Sequence, residues 1–241
     1  MYKGVKDIIK EFKEDFDEKS KSIKKAKALL KEKGETADRK SIEEYSLKII
    51  REWDDYRVKS EEFHKKLCSD EISSNPAVIL EGRGAHDLNK IDLMDKSLVN
   101  LDSNKVYLEK LLFSNKYKII GYADRVNVSH GTINITDNKL LKKLNYTSSY
   151  KLSNGMFAKG AVMKPPLEHL DSCNYIDACL QLSLYMYMAW ESNKSLKVGS
   201  LFIRYIVLND FGNKVSDELI EVPYMRSEVK SILKYRLENE S

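Results

Sequence analysis

Two segments rich in β-branched and aromatic residues, with a short turn between them, constrain the fold of this chain more than any other feature. They cover residues 117–128 and 132–137, and Ser129-His130-Gly131 lies between them. Strand-forming runs separated by a glycine-containing turn are typical of a β-hairpin. The middle of the chain is therefore predicted to contain an antiparallel pair of strands.

Helical patterns precede this hairpin. Apolar residues recur at helical spacing over residues 8–16, and Gly34 interrupts the charged helical pattern that follows. A second, longer amphipathic helix is predicted for about residues 38–67. The N-terminal part of the chain is therefore predicted to be helical.

Further elements are predicted on both sides of the hairpin. Residues 77–80 predict a short buried strand between turn signals at 73–76 and 82–84. Residues 140–172 predict a long loop, and a strong helix follows at about 174–191. The remaining predicted elements are strands at residues 201–208 and 219–222 and a terminal helix at 227–238. This order predicts a mixed α/β domain.

Composition excludes some classes of protein. The chain has 241 residues, of which 42% are hydrophobic and 32% charged. No apolar run approaches the roughly 20 residues of a spanning helix, and the N-terminus has no signal-peptide core, so we expect no membrane and a cytoplasmic location. A net charge of +4 still allows nucleic acid to bind in one local groove. An odd count of three cysteines favours free thiols.

The second predicted strand ends in two charged residues. Side chains alternate between faces, so Ile133, Ile135, Asp137 and Lys139 share one face. Unpaired buried charge is costly, and a metal ion would remove that cost. We expect Asp124, on the partner strand, to approach Asp137 near the open end of the hairpin. Two converging carboxylates suit Mg²⁺, and a neighbouring lysine suits phosphodiester hydrolysis.

These motifs resemble the PD-(D/E)xK nuclease superfamily. The match begins with Gly121-x-x-Asp124 and continues with a second strand ending in Asp137-x-Lys139. A Gln-x-x-x-Tyr motif on a downstream helix and an upstream histidine are similar to the RecB-like branch, which includes phage exonucleases. Leu140 stands where that branch usually has threonine. The resemblance implies a restriction-endonuclease-like core, with a central mixed sheet flanked by helices, over residues 68–241, and a helical N-terminal region over residues 1–67.

The resemblance also implies a metal site. Its ligands would be Asp124, Asp137 and the carbonyl of Asn138, with His64 as a further ligand. Glu109 best matches an acidic position that precedes the Gly-x-x-Asp strand. The Gly-Thr pair that family members carry before the histidine is absent here, and a histidine that is merely packed or exposed on a helix is the alternative interpretation. For Asp137 and Lys139, the alternative is a plain ion pair at the edge of a strand.

Four residues beyond the metal set are candidates for substrate contact. Gln181 and Tyr185 share one helix face, and the resemblance implies that they brace Lys139 or contact nucleic acid, with simple packing as the alternative. Lys142 and Lys143 are expected either to meet phosphates or to form a solvated surface.

The resulting hypothesis is a DNA nuclease that depends on Mg²⁺ or Mn²⁺. By resemblance, it would be an exonuclease in phage-type DNA recombination or processing, in the host cytoplasm, with a recombination or phage protein as partner. No iron–sulfur cluster is expected, because the three cysteines are too few and Cys173 and Cys179 precede Gln181. The alternatives are a non-catalytic nucleic-acid-binding or virion-associated module that keeps the fold, and a structure-specific endonuclease.

Overall fold

A computed structural model describes residues 2–14, 17–75, 77–81, 96–151 and 156–239. Its helices are α1 (Val5–Glu11), α2 (Glu18–Lys33), α3 (Arg39–Ser74), α4 (Asn174–Ser192) and α5 (Arg226–Asn239). Its strands are β1 (Lys3–Gly4), β2 (Val78–Leu80), β3 (Lys105–Ser114), β4 (Ile119–Ser129), β5 (Thr132–Leu140), β6 (Tyr150–Lys151), β7 (Phe157–Ala158), β8 (Lys197–Leu208) and β9 (Lys214–Val222). A 3₁₀ turn spans Lys96–Val99. The predicted turn at residues 82–84 and the predicted helical residue Phe16 lie outside the described residues.

The fold is α/β, with a mixed central sheet flanked by helices. The strand order is β2-β3-β4-β5-β8-β9, and β1 pairs with β4. The β2–β3 and β5–β8 pairs are parallel, whereas β3–β4, β4–β5 and β8–β9 are antiparallel. The predicted hairpin is confirmed as β4 and β5, which turn at His130 and Gly131, both with positive φ.

Helix α4 forms the centre of the core. The helix is buried on all sides, including Ala178, Cys179 and Leu182. The reason is that α4 packs against β3, β4, β5 and β8 on one side and against α1 and α5 on the other. A helix that is apolar around its circumference is stable in such a place.

Helices α2 and α3 form an antiparallel pair beside this core. Asp17 caps the start of α2, and Gly34, with a φ of 69°, ends it as predicted. The pair buries Ala26, Leu30 and Ile49 between its helices. Helix α3 continues through the proposed region boundary at residue 67 and ends at Ser74, because the turn begins only at Asn75. The division into two regions stays a prediction.

Two strands differ from the sequence-based expectation. The strand predicted at 77–80 exists as β2, but the prediction of burial was wrong, since Ile79 is 36% and Leu80 50% exposed. The cause is that, within the part of the chain that the structure describes, β2 pairs with β3 alone, at the edge of the sheet. Strand β3 was not predicted, because Glu109 and Lys110 interrupt its apolar run, although both are buried.

The region predicted as a long loop contains little regular structure. Strands β6 and β7 have two residues each and, among the described residues, pair with each other alone. Among the described helices, none combines the length and the apolar content that crossing a membrane requires.

Candidate active site

One cleft, of about 720 Å³, lies between α3 and the central strands. Its lining includes the six residues predicted as ligands or as the catalytic lysine: His64, Glu109, Asp124, Asp137, Asn138 and Lys139. These residues come from one helix and three strands, so the fold brings together positions that lie up to 75 residues apart in the chain.

The cleft lies where two central strands separate. Strands β4 and β5 pair from the turn as far as Arg125 and Thr136. Beyond that point β4 continues beside β3, and residues 137–140 of β5 continue beside β8. At the fork, the Asp124 carboxylate accepts a hydrogen bond from the backbone N–H of Asn138, at 2.8 Å. The Asp124 side chain therefore takes the place of the next backbone hydrogen bond between the two strands.

A buried network holds the acid and the lysine of the Asp-x-Lys motif. Asp137 Oδ2 lies 2.6 Å from Lys139 Nζ. The Gln181 amide donates to Asp137 Oδ1 at 2.9 Å and accepts from Lys139 Nζ at 2.8 Å. It also donates to the Tyr185 hydroxyl at 3.2 Å. Gln181 therefore braces Lys139, which is one of the two roles proposed for it above.

The glycine of the Gly-x-x-Asp motif makes room for this network. A Cβ atom on Gly121 would lie 2.8 Å from Tyr185 Cε1 and 3.2 Å from Val5 Cγ2. Those distances are shorter than packed carbon atoms tolerate. The absence of a side chain at residue 121 therefore lets the Tyr185 ring pack directly on β4.

His64 and Glu109 contact each other at the α3 side of the cleft. His64 Nε2 lies 2.6 Å from Glu109 Oε1 and 3.8 Å from Cys68 Sγ. These two contacts raise the pKa of His64 to about 10, against the opposing effect of burial. If this imidazole bound a metal ion through Nε2, it would have to lose the proton on that nitrogen.

Glu109 has an unusual backbone conformation. Its φ is 52°, in the middle of a strand, where residues other than glycine rarely occur. In a regular strand, residues five apart point to opposite faces of the sheet. Tyr107 and Leu112 nevertheless pack into the same hydrophobic cluster, so the alternation of side chains is interrupted between them. The left-handed residue therefore separates two stretches of ordinary alternation.

Burial gives the site its electrostatic character. The residues Glu109, Asp124 and Asp137 are only 5%, 3% and 2% exposed. Three carboxylates in one cleft, beside the cations of Lys139 and His64, form a donor set that suits a divalent metal. Oxygen ligands predominate, as Mg²⁺ and Mn²⁺ require.

Other candidates lie outside the cleft lining. The Lys142 ammonium sits 5.5 Å from the centre of the Tyr56 ring, and Lys143 is exposed on the same loop. His169, which sequence reasoning left aside, pairs with Glu228 at 3.2 Å. All three cysteines are free, as predicted.

Sequence reasoning missed several residues that line the cleft, three of which carry an ammonium or a thiol group. Cys68, Lys6 and Lys65 contribute to its lining. A signal existed for Cys68, because His64 and Cys68 are four residues apart and such residues share one face of a helix. No comparable signal marks Lys6, which reaches the cleft from α1.

No protein-family model matches this chain, and no curated protein matches it.

Proposed function

We propose that this chain is a divalent-metal-dependent nuclease that hydrolyses phosphodiester bonds in DNA, built on a restriction-endonuclease-like core of the PD-(D/E)xK kind. The observation that carries the proposal is the convergence of Asp124, Asp137, Lys139 and Glu109 in one cleft, with Gln181 bridging the acid and the lysine. The order of these motifs in the sequence supports the same proposal.

The donor set fits Mg²⁺ or Mn²⁺. Asp124, Asp137 and the carbonyl of Asn138 would hold the ion, and His64 and Glu109 extend the set toward α3. The ion, when bound, lowers the pKa of a water and polarises a phosphate oxygen. Lys139 pairs with Asp137 and His64 with Glu109, and a divalent ion would further offset the charge of the three buried carboxylates.

Lys139 has a distinct part in this proposal. Its ammonium is held by Asp137 on one side and by Gln181 on the other, and it lines the cleft. A fixed cation at that place orients the attacking water or stabilises the charge that develops on the phosphate. Gln181 and Tyr185 act behind it, as positioning residues.

The nature of the substrate rests on the resemblance and on charge. Lys6 and Lys65 line the same cleft and are suited to contact phosphates of a bound strand. By resemblance, the proposed activity is that of an exonuclease in phage-type DNA recombination or processing, which works with a recombination or phage protein.

The test is a cleavage assay on end-labelled linear DNA and on closed circular DNA. Each substrate is incubated with Mg²⁺, with Mn²⁺ or with EDTA, using wild type, Asp137→Asn and Lys139→Met. We expect metal-dependent loss of the linear substrate by wild type only, with a reduction of at least about 100-fold in both variants.

Two matched variants control for the chemical change itself. Asp55→Asn and Lys234→Met make the same replacements at exposed helix positions, so they should cleave as wild type does. Cutting of the circle would indicate an endonuclease. DNA binding without cleavage in any metal would contradict the proposal and favour a binding module.

A further inference from the structure

Three side chains of different chemistry converge at the α3 side of the cleft. His64 and Cys68 lie one turn apart on α3, and Glu109 reaches them from β3. One ligand atom from each residue, namely a histidine nitrogen, the Cys68 sulfur and a carboxylate oxygen, lies within 4.8 Å of the other two. The set therefore has a common focus, although its members belong to separate elements.

Two of the three separations among these atoms are close to those of a tetrahedral metal site, and the third, between Cys68 and Glu109, is at most 4.8 Å. With bonds of about 2.0–2.3 Å to nitrogen, oxygen and sulfur, the ligand atoms of such a site stand roughly 3.3–3.8 Å apart. The His64–Cys68 separation of 3.8 Å already meets this value. The His64–Glu109 separation of 2.6 Å would have to open by less than one ångström, which a rotation of the carboxylate provides.

The chemistry of the set differs from that of the carboxylates deeper in the cleft. Thiolate and imidazole ligands prefer Zn²⁺ and other borderline metals, whereas Mg²⁺ prefers oxygen ligands. Cys68 is partly exposed and lines the cleft. By contrast, Cys179 is fully buried, and burial raises the pKa of its thiol to about 11, so it stays protonated.

We propose that His64, Cys68 and Glu109 form a three-ligand site for a thiophilic divalent ion such as Zn²⁺ or Co²⁺, with its fourth position open to the cleft. The site needs only these three residues and does not require the chain to be a nuclease. A second consequence rests on the proposed function: since His64 and Glu109 also extend the Mg²⁺ or Mn²⁺ set, bound Zn²⁺ competes with the activating metal.

Co²⁺ titration of the full chain tests the site directly. The protein is kept reduced with a phosphine in the absence of oxygen, and the thiolate-to-Co²⁺ charge-transfer absorption is recorded. We expect wild type to develop this absorption with one Co²⁺ per chain, and stoichiometric Zn²⁺ to remove it. Cys68→Ser should lose the absorption and bind Co²⁺ at least about tenfold more weakly.

Three further variants make the result specific. Cys173 is the N-cap residue of α4, a position where serine is favoured. Cys173→Ser should therefore fold normally and keep the absorption. Asp137→Asn should also keep it, which separates this site from the proposed nuclease chemistry. Cys68→Ala, with a good helix-forming residue, replaces Cys68→Ser if circular dichroism shows that the serine variant is unfolded.

The outcomes are distinguishable. No charge-transfer absorption in wild type, or absorption that persists without the Cys68 sulfur, overturns the proposed site. If Co²⁺ binds as expected but DNA is never cleaved, the site stands and the nuclease proposal fails. If DNA is cleaved and Co²⁺ gives no thiolate absorption, the nuclease proposal stands and this one fails.

Discussion

Gln181 contacts three other side chains of the site. Gln181 is 4% exposed, and its amide contacts Asp137, Lys139 and Tyr185 at once. An amide suits this place because it offers both a donor and an acceptor, whereas a carboxylate or an ammonium offers only one kind of bond. A buried network of this type is stable only if each member is satisfied.

Replacing Gln181 should therefore destabilise the protein more than removing one of its partners. We expect Gln181→Met to lower the free energy of unfolding by about 1–3 kcal/mol, because Asp137 and Lys139 each lose a buried partner. Tyr185→Phe removes only the hydroxyl contact and should cost about 0.5–1.5 kcal/mol. Denaturant unfolding of the three proteins measures both values. Equal stability of Gln181→Met and wild type would show that the network contributes nothing.

The positive φ of Glu109 gives a second prediction at the residue scale. Both Glu109→Ala and Glu109→Gly remove the carboxylate, but only glycine adopts a φ of 52° without steric cost. We expect the glycine variant to be more stable than the alanine variant by about 1 kcal/mol. At exposed Glu221, in the regular strand β9, the same pair should show the opposite order. Thermal or denaturant unfolding of the four variants decides it.

At the scale of elements, the fork between β4 and β5 explains why polar groups collect in one place. Strands that separate leave backbone groups without a ladder partner, and these must be satisfied by side chains. Asp124 does so for Asn138, and Asp137 and Glu109 line the same cleft.

The β8–β9 pair yields a pH-dependent prediction. Arg204 donates to both oxygens of Asp217 across the two strands, at 2.9 and 2.7 Å, and Lys214 adds a third contact at 3.0 Å. The hydrogen bonds to Arg204 lower the pKa of Asp217 to about 2 in the folded protein. The unfolded value is about 3.9, so this stabilisation is complete above pH 4 and is lost as pH falls toward 2.

Asp217→Asn tests that dependence. At pH 7 the free energy of unfolding of the variant should be about 1–2 kcal/mol lower than that of wild type. This value allows for the partial exposure of the pair. The difference should narrow as the pH falls from 4 toward 2. Ser216→Ala, an exposed and uncharged position on the same strand, should show a difference that does not change with pH. Urea unfolding at several pH values gives the comparison, and a constant difference for Asp217→Asn would contradict it.

The elements also show what local sequence determines. The β4–β5 hairpin, the stop at Gly34 and the span of α4 were predictable, because turn residues and apolar periodicity act over a few positions. Strand β3 was not, because its charged residues Glu109 and Lys110 are satisfied by partners distant in sequence. Lys110, for example, pairs with Glu81 and with the carbonyl of Leu98.

At the scale of the whole molecule, the site also contains some residues whose positions local sequence predicts and others whose positions depend on tertiary structure. Asp124, Asp137 and Lys139 could be predicted to meet because one hairpin carries all three. The arrival of His64 and Cys68 depends on where the long α3 helix lies against the sheet, which no local pattern specifies. The sequence therefore indicated the chemistry of the central carboxylates, whereas the side of the cleft formed by α3 required the tertiary structure.

Binding of a metal ion by the buried carboxylates of the cleft should raise the thermal stability of the whole chain. A ligand that binds only the folded state at 100 times its dissociation constant adds about 2.7 kcal/mol, which for a chain of this size raises Tm by about 5–10 °C. We expect saturating Mn²⁺ or Mg²⁺ to give such a rise in wild type and in the exposed control Asp55→Asn, and EDTA to reverse it. Asp137→Asn should respond far less, because a buried ligand with 2% exposure has been removed. Cys68→Ser should respond as wild type does, because the oxygen ligands of this cation are intact. An equal rise in Asp137→Asn would mean that the metal stabilises the protein from another place, and the central carboxylates would then have no part in holding it.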